Sequence, residues 1–323
     1  MRAMILAAGL GTRLRPLTLV RPKVLVPLRG VTVLDFWLWQ LHHAGFEAVV
    51  ANACHLHEAL LAFAGKKTIP LPVEVRVERG LLGTAGGIRN VLDFFDDEPF
   101  AVVNGDIICD APMQELYRAH LSSGSLVSLL LHDCPEFNNV AVSREGLVVG
   151  FGREALHAAE KSPDVRLLAF TGIHFIHPSI LRGLPPGQFE EIVPLYRDLI
   201  RKGRPPRAIL QPGLYWREMG SLESYRRLHE ELSRLDENSL PPLPTGKAVW
   251  VHSGARVAPG ARMQGYTIVG EGCRLMEGVS IENTVLWDHV CVKEGASLRG
   301  CIVTDGAVVE GEHTDEILIG KEL

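Results

Sequence analysis

Along the first two-thirds of the chain, apolar positions switch repeatedly between two patterns. "AMILAAG", "EAVVANA", "VEVRVE", "FAVVNGD" and "SLVSLLL" are short runs rich in Val, Leu and Ala, as in strands buried on both faces. Between them, residues 32–45, 56–65, 84–95 and 111–123 have helical periodicity. This alternation predicts βαβ units and an α/β fold with a Rossmann-like, doubly wound, mostly parallel sheet. Farther on, "NNVAVSREGLVVGF" predicts a hairpin about Glu145-Gly146, and "LLAFTGIHFIH" a buried strand. "FEEIVPLYRDLIRKG" predicts an amphipathic helix stopping at Gly203, and Ser221 is the predicted N-cap of "LESYRRLHEELSRL".

The pattern then changes. "DENSLPPLPTGK" is polar and proline-rich, which predicts a linker over residues 236–247. Beyond it apolar residues recur every six positions: Val251, Val257, Met263, Val269, Leu275 and Ile281. Glycine and alanine sit between them, as at the corners of a parallel β-helix with three short faces per coil. The repeat becomes irregular after Ile281 and resumes through "VCVKEGASLRGCIVTDGAVV". The predicted organisation is an α/β domain over 1–235, the linker over 236–247, and a short left-handed β-helix of hexapeptide repeats over 248–323.

Composition narrows the function classes. The chain has 323 residues, 46% hydrophobic and 22% charged, which suits a two-domain globular protein. A net charge of −5 gives no support for nucleic-acid binding, and no apolar run reaches the length of a membrane span. The six scattered cysteines form no Cys-x-x-Cys pair. They predict reduced thiols in a cytoplasmic protein rather than disulfides or a zinc site. Local basic clusters are therefore expected to serve small anions or to be solvated.

One such cluster follows the first strand, in "MRAMILAAGLGTRLRPLTLVRPKVLVPL". Glycines after a strand let backbone N–H groups point into one concavity, and the next helical turn adds its positive end. Arg13, Arg15, Arg21 and Lys23 lie within eleven residues of one another, among prolines 16, 22 and 27 that restrict the segment. The turn fits neither common nucleotide motif. The third glycine of a dinucleotide fingerprint is replaced by Leu14, and no glycine-lysine pair ends it as in a P-loop. A solvated basic loop and an anion cradle both fit these residues taken alone.

The whole string "LAAGLGTRLRPLTLVRPKVLVPL" resembles the signature of the sugar-1-phosphate nucleotidyltransferases, the NDP-sugar pyrophosphorylases. The resemblance continues in order through "GLLGTAGGIRN", "VVNGDI", "FTGIHFIHPSIL" and "YWREMGSLESY", covering about residues 1–232. It implies a reaction in which a sugar 1-phosphate attacks the α-phosphorus of a nucleoside triphosphate in line and releases pyrophosphate. The nucleophile is already anionic, so positioning and charge neutralisation dominate the chemistry.

By this resemblance Ala8, Gly9, Gly11 and Thr12 hold the triphosphate, Arg13 stabilises the departing pyrophosphate, and Lys23 contacts the α- and sugar phosphates. Arg15 and Arg21 are expected to face solvent. Glu78, Gly83 and Thr84 are implied around the nucleoside, and Asn139, Arg153, Thr171 and Gly172 around the sugar phosphate. Asp106, the last residue of "FAVVNGD", is implied as a Mg2+ ligand, with Asp110 as the N-cap of the next helix. Two departures stand out. Glu218 occupies the place of the usual second metal-binding aspartate. "GFGREALHA" replaces the Glu-Lys-Pro whose lysine binds the sugar phosphate, so Arg153 is a substitute candidate.

The expected substrates are a nucleoside triphosphate and a sugar 1-phosphate, with guanylyl transfer to mannose 1-phosphate slightly favoured. Uridylyl or thymidylyl transfer to N-acetylmuramate 1-phosphate or glucose 1-phosphate is the alternative. A non-catalytic regulatory subunit of the same fold, and an acyl-transferring β-helix using His252 or His289, are alternatives of other classes. The β-helix is expected to support homo-oligomer contacts.

Overall fold

The structure is a computed structural model that describes residues 1–66 and 70–320. Its chain forms two compact units: Met1–Gly9 with Trp37–Arg217, and Leu10–Phe36 with Glu218–Leu323. The division by texture at 236–247 falls elsewhere. That stretch holds neither helix nor strand, but residues 10–36 and the helix Leu222–Arg234 group with the C-terminal repeats.

The first unit is an α/β, Rossmann-like core built on a nine-stranded mixed sheet. Arg2–Leu6 lies between Ala48–Ala53 and Phe100–Asn104 and is parallel to both; Val73–Val77 adds a parallel strand outside Ala48–Ala53. Arg166–Ile176 pairs antiparallel with Phe100–Asn104, Val127–His132 and Val140–Val142. The hairpin about Gly146 joins Val140–Val142 to Val148–Phe151, and Arg207–Leu210 runs parallel to Val127–His132. Met4, Val50, Val102 and Leu129 are fully buried in one cluster, which is why these strands read as continuous apolar runs.

Helices occur at Val33–His43, His57–Ala64, Gly83–Arg89 and Met113–Ser123. The third is shorter than the predicted 84–95: it stops at Asn90, and Leu92–Phe95 forms a separate 3-10 turn. Its sequence holds the two consecutive glycines Gly86 and Gly87, weak helix formers that permit close packing. A Cβ on Gly86 would lie 2.3 Å from the Gln188 carbonyl oxygen. Ile192–Arg201 is followed by Gly203 in the left-handed region (φ 70°), a conformation glycine adopts without steric cost.

In the second unit, a stack of parallel strands consistent with a left-handed β-helix runs from Trp250–Val251 to Ile317–Leu318 on three faces of five, four and four strands. Val257, Met263, Val269, Leu275 and Ile281 all contribute to its core, whereas Val251 on the first strand is exposed. The irregularity after Ile281 has a simple origin. Trp250 pairs with Ile268, which pairs with Val285, then Ile302, then Ile317, so the coil shortens from 18 residues to 17 and then 15. Leu286, Val292, Leu298 and Val303 keep the inward positions across the shortened coils. Cys273 and Cys301 pack inward as well, and all six cysteines are free thiols. Ser221 caps the helix Leu222–Arg234 in a capping box with Ser224.

Candidate active site

In the first unit, Arg2–Leu6 and Phe100–Asn104 end side by side, and the chain beyond them borders a cleft of about 310 Å³. Ligands of open α/β folds bind at this carboxyl edge of the strands. Ala8, Gly9, Glu78, Gly83, Thr84 and Asp106 all line the cleft, so six of the sequence candidates come together here. Leu81, Leu82 and Phe189 provide apolar walls.

Glu78 is 5% exposed, and its position is set by a chain of bonds from the first strand. The Ala7 N–H donates to Asn52 Oδ1 at 2.8 Å, and Asn52 Nδ2 donates to Glu78 Oε1 at 2.8 Å. Leu82 N–H lies 3.4 Å from Oε2. Burial pushes the Glu78 carboxyl above the usual range, opposed by these donors. Sequence reasoning missed Asn52 and Asn104, both of which line the cleft. Their signal is a polar residue at or near the end of a strand otherwise built from Val and Ala.

The glycines divide by cause. Gly83 has φ 66°, and a Cβ there would fall 2.6 Å from the Glu190 carbonyl oxygen, so the fold itself requires glycine. Gly172 has φ 85°, and a Cβ would meet Asn104 Nδ2 at 2.7 Å; glycine there leaves Asn104 in place at the cleft. Gly9 differs. A Cβ on it would meet nothing within 4 Å, so the protein alone gives no steric reason for glycine, and its backbone is open to the cleft.

The rest of the signature lies in the second unit. Gly11 (φ 58°) opens the 3-10 turn Thr12–Leu14, and its carbonyl accepts from Thr18 Oγ1 at 2.9 Å. A Cβ on Gly11 would lie 2.6 Å from Thr18 Cγ2. Arg13, mostly exposed, donates from Nη2 to Glu218 Oε1 at 2.8 Å. Gly220 makes room for that pair, since a Cβ there would fall 2.2 Å from Glu218 Oε1. Lys23 begins a second 3-10 turn, Lys23–Leu25. Arg15 is exposed. Arg21 departs from the expected solvent-facing role: its guanidinium binds Asp288 and Asp305 of the β-helix.

The sugar-side candidates do not line the cleft. The Asn139 N–H donates to the Leu168 carbonyl, and its own carbonyl accepts from Gly152, so both backbone groups serve the sheet and its turn. Thr171 is buried; its hydroxyl donates to the Leu130 carbonyl at 2.8 Å, and its carbonyl accepts from Trp216 Nε1 at 2.8 Å. Arg153 is the exposed first residue of the helix Arg153–Lys161. Asp110 does not cap the helix Met113–Ser123: its Oδ1 accepts from the Tyr215 N–H at 2.9 Å, and Pro112 stands at the cap. Among the described residues no group of three or more His, Cys, Asp or Glu side chains is poised around one metal position, and no helix is long and apolar enough to cross a membrane.

Residues 2–234 match the nucleotidyl transferase family. The chain is 30% identical to the mannose-1-phosphate guanylyltransferase of Mycobacterium tuberculosis, over 92% of this chain and 82% of that protein. It is 25% identical to a UTP–glucose-1-phosphate uridylyltransferase of Synechocystis, covering 96% and 90% of the two chains. A probable mannose-1-phosphate guanylyltransferase of Arabidopsis thaliana is 29% identical, with 96% and 83% covered.

Proposed function

Because the chain belongs to the nucleotidyl transferase family and is a sugar-1-phosphate nucleotidyltransferase, we propose that it transfers guanylyl from GTP to mannose 1-phosphate. The observation that supports this base is Glu78, a buried carboxylate held in the cleft by Asn52. A carboxylate accepts hydrogen bonds and donates none. Guanine presents two adjacent donors, N1–H and N2–H2, whereas uracil presents one N–H between two carbonyl acceptors. The acceptor-only group therefore favours guanine. The two guanylyltransferases named above support the same reading, and the uridylyltransferase names its alternative.

The proposed roles follow the two units. In the first, Glu78, Gly83 and Thr84 take the nucleoside, and the open backbone at Ala8 and Gly9 admits the phosphates. In the second, Gly11 and Thr12 hold the triphosphate turn. Arg13 neutralises charge on the departing pyrophosphate; Glu218 orients its guanidinium and holds it until an anion competes. Lys23 stabilises the α-phosphate and the attacking sugar phosphate. The attacking phosphate oxygen is anionic at neutral pH, so the chain need supply no strong general base. Its contribution is alignment and a fixed positive field.

Enzymes of this family generally use a divalent metal. Asp106 and Glu218 are proposed as Mg2+ ligands, both hard oxygen donors. Each is the kind of donor Mg2+ takes, since that ion is commonly held by one or two carboxylates with phosphate oxygens and water completing its shell. When bound, it would neutralise phosphate charge. With the Asn139 backbone bonded to Leu168 and Gly152, the Thr171 hydroxyl bonded to Leu130 and its carbonyl to Trp216, Gly172 is proposed to act on the site through Asn104, and Arg153 as a sugar-phosphate contact from its exposed helix start. The protein is proposed to act in the cytoplasm as a homo-oligomer. Incubation with Mg2+, each of GTP, UTP and dTTP, and each of mannose, glucose and N-acetylmuramate 1-phosphates tests the reading. Mass spectrometry should find GDP-mannose as the dominant product. A dominant UDP- or dTDP-sugar would overturn the base assignment, and a dominant GDP-sugar other than GDP-mannose the sugar assignment.

A further inference from the structure

Arg21 stands two residues before Lys23, yet its guanidinium is bound to the β-helix through Nε and Nη2. Nε donates to Asp305 Oδ2 at 2.7 Å, and Nη2 donates to Asp305 Oδ1 at 2.8 Å and to Asp288 Oδ2 at 2.7 Å. The two aspartates sit at the same corner of successive coils. Each also accepts a backbone N–H from the preceding coil: Asp288 N–H donates to Asp305 Oδ1 at 3.1 Å, and Glu271 N–H to Asp288 Oδ1 at 3.0 Å. The carboxylates are thereby oriented by the coil and not merely attracted to the arginine. Arg21 Cζ also lies 5.4 Å from the centroid of Trp287.

The other end of the segment is held through the same coil. Trp287 Nε1 donates to the Tyr225 hydroxyl at 3.0 Å, and that hydroxyl donates to the Pro27 carbonyl at 2.7 Å. Between Arg21 and Pro27 the chain makes the turn that bears Lys23, closed by Leu25 N–H to the Pro22 carbonyl at 2.8 Å and Val26 N–H to the Lys23 carbonyl at 3.2 Å. From this geometry we propose that the β-helix is a positioning device for the reaction. Asp288 and Asp305, acting through Arg21, fix the backbone from which Lys23 projects. The proposal rests on the role assigned to Lys23 above. Arginine is the residue such a clamp requires, since its planar fork engages both oxygens of Asp305 while reaching Asp288, which a lysine ammonium cannot do in that geometry.

Arg21→Ala, Arg21→Lys and Asp305→Asn, made in the full-length chain, test the proposal by two readouts. In steady-state kinetics, Arg21→Ala should lower kcat by about 10- to 100-fold, the scale of a 1 Å misplacement of a reacting group. Arg21→Lys should recover only part of that loss. Combined with Lys23→Arg, Arg21→Ala should add little further loss, because both changes act on the same group. In amide hydrogen exchange, the peptide spanning residues 21–28 should exchange faster in Arg21→Ala and Asp305→Asn while the sheet strands of the first unit are unchanged. A full multiplicative loss in the Lys23→Arg background, or an unchanged kcat in a folded Arg21→Ala, overturns the positioning role. Unchanged exchange with an active wild type overturns the clamp alone. A wild type inactive with every substrate pair, but with faster exchange in the variants, overturns the functional reading and leaves the clamp standing. Should Arg21→Ala fail to fold, Asp305→Asn decides on the same readouts.

Discussion

If Glu78 reads the base as proposed, Glu78→Gln should separate guanine from uracil recognition, because a chain of hydrogen bonds sets the orientation of the new side chain. The Ala7 N–H fixes the Asn52 amide by donating to Oδ1 at 2.8 Å, so Nδ2 must face residue 78, where it donates to Oε1 at 2.8 Å. A glutamine has to present its carbonyl oxygen to that Nδ2. Its own NH2 then replaces Oε2 and points a donor where the carboxylate offered an acceptor. Hydrogen bonds to a charged group contribute about 1.5–3 kcal/mol. Losing one such bond to guanine predicts a fall in kcat/KM for GTP of roughly 10- to 150-fold. The efficiency with UTP should hold or rise, since uracil carbonyls accept from the new NH2. Stability should not fall with it. Burial raises the Glu78 pKa, so its contribution to stability is present below the unfolded value and is lost as pH rises through the folded value. At neutral pH loss of the buried charge favours the glutamine, while its NH2 loses the weak 3.4 Å bond from the Leu82 N–H, so Tm should change little. The assay is kcat/KM for GTP and UTP at saturating sugar 1-phosphate, with Tm measured alongside. An unchanged GTP-to-UTP ratio in a stable Glu78→Gln protein would refute the reasoning.

Three other outcomes follow from the same structure. Gly11→Ala places a side chain at φ 58° with its Cβ 2.6 Å from Thr18 Cγ2, and should lower stability by about 1–3 kcal/mol and impair turnover; an unaltered urea midpoint would contradict it. His174 and His229 are buried and held neutral, each lowered to about 3 by desolvation. Their stabilising contribution is present above the unfolded value and lost as pH falls, so urea unfolding between pH 6.5 and 5 should show stability dropping by roughly 1.4 kcal/mol per pH unit for each. Burial pushes the Cys273 thiol up to about 12 and raises that of Cys109 further. Both should resist a thiol reagent at pH 8 in the folded protein and react on unfolding, with mass mapping as the check.

Most of the fold is legible because strand and helix periods, and above all the six-residue repeat, are direct images of which side faces inward. Val257, Met263, Val269, Leu275 and Ile281 reach one core without any tertiary information. The shortened coils after Ile281 preserve the inward positions by dropping corner residues, which a fixed spacing cannot follow. The cleft's lining is legible where a turn needs glycine, as at Gly83, or where a carboxylate follows a strand, as at Asp106. Asn52 and Asn104 escape because nothing local distinguishes a strand-end asparagine that holds a cleft from one that closes a turn. Arg21 escapes for another reason: its partners, Asp288 and Asp305, lie more than 260 residues away on coils whose corners only the folded chain brings near. Thr171 shows the opposite case: it lies in the middle of the strand Arg166–Ile176, and its hydroxyl is used inside the sheet, a placement that the local sequence does not reveal.

The central claim is that the basic segment after the first strand is a phosphate-binding device with unequal members. Pyrophosphate release with GTP, mannose 1-phosphate and Mg2+ tests it most directly across the wild type, Arg13→Ala, Lys23→Ala and Arg15→Ala. Turnover in the wild type, near loss in Arg13→Ala and Lys23→Ala, and a rate within about twofold of wild type in the exposed Arg15→Ala is the predicted result. Equal rates in all four proteins would contradict it.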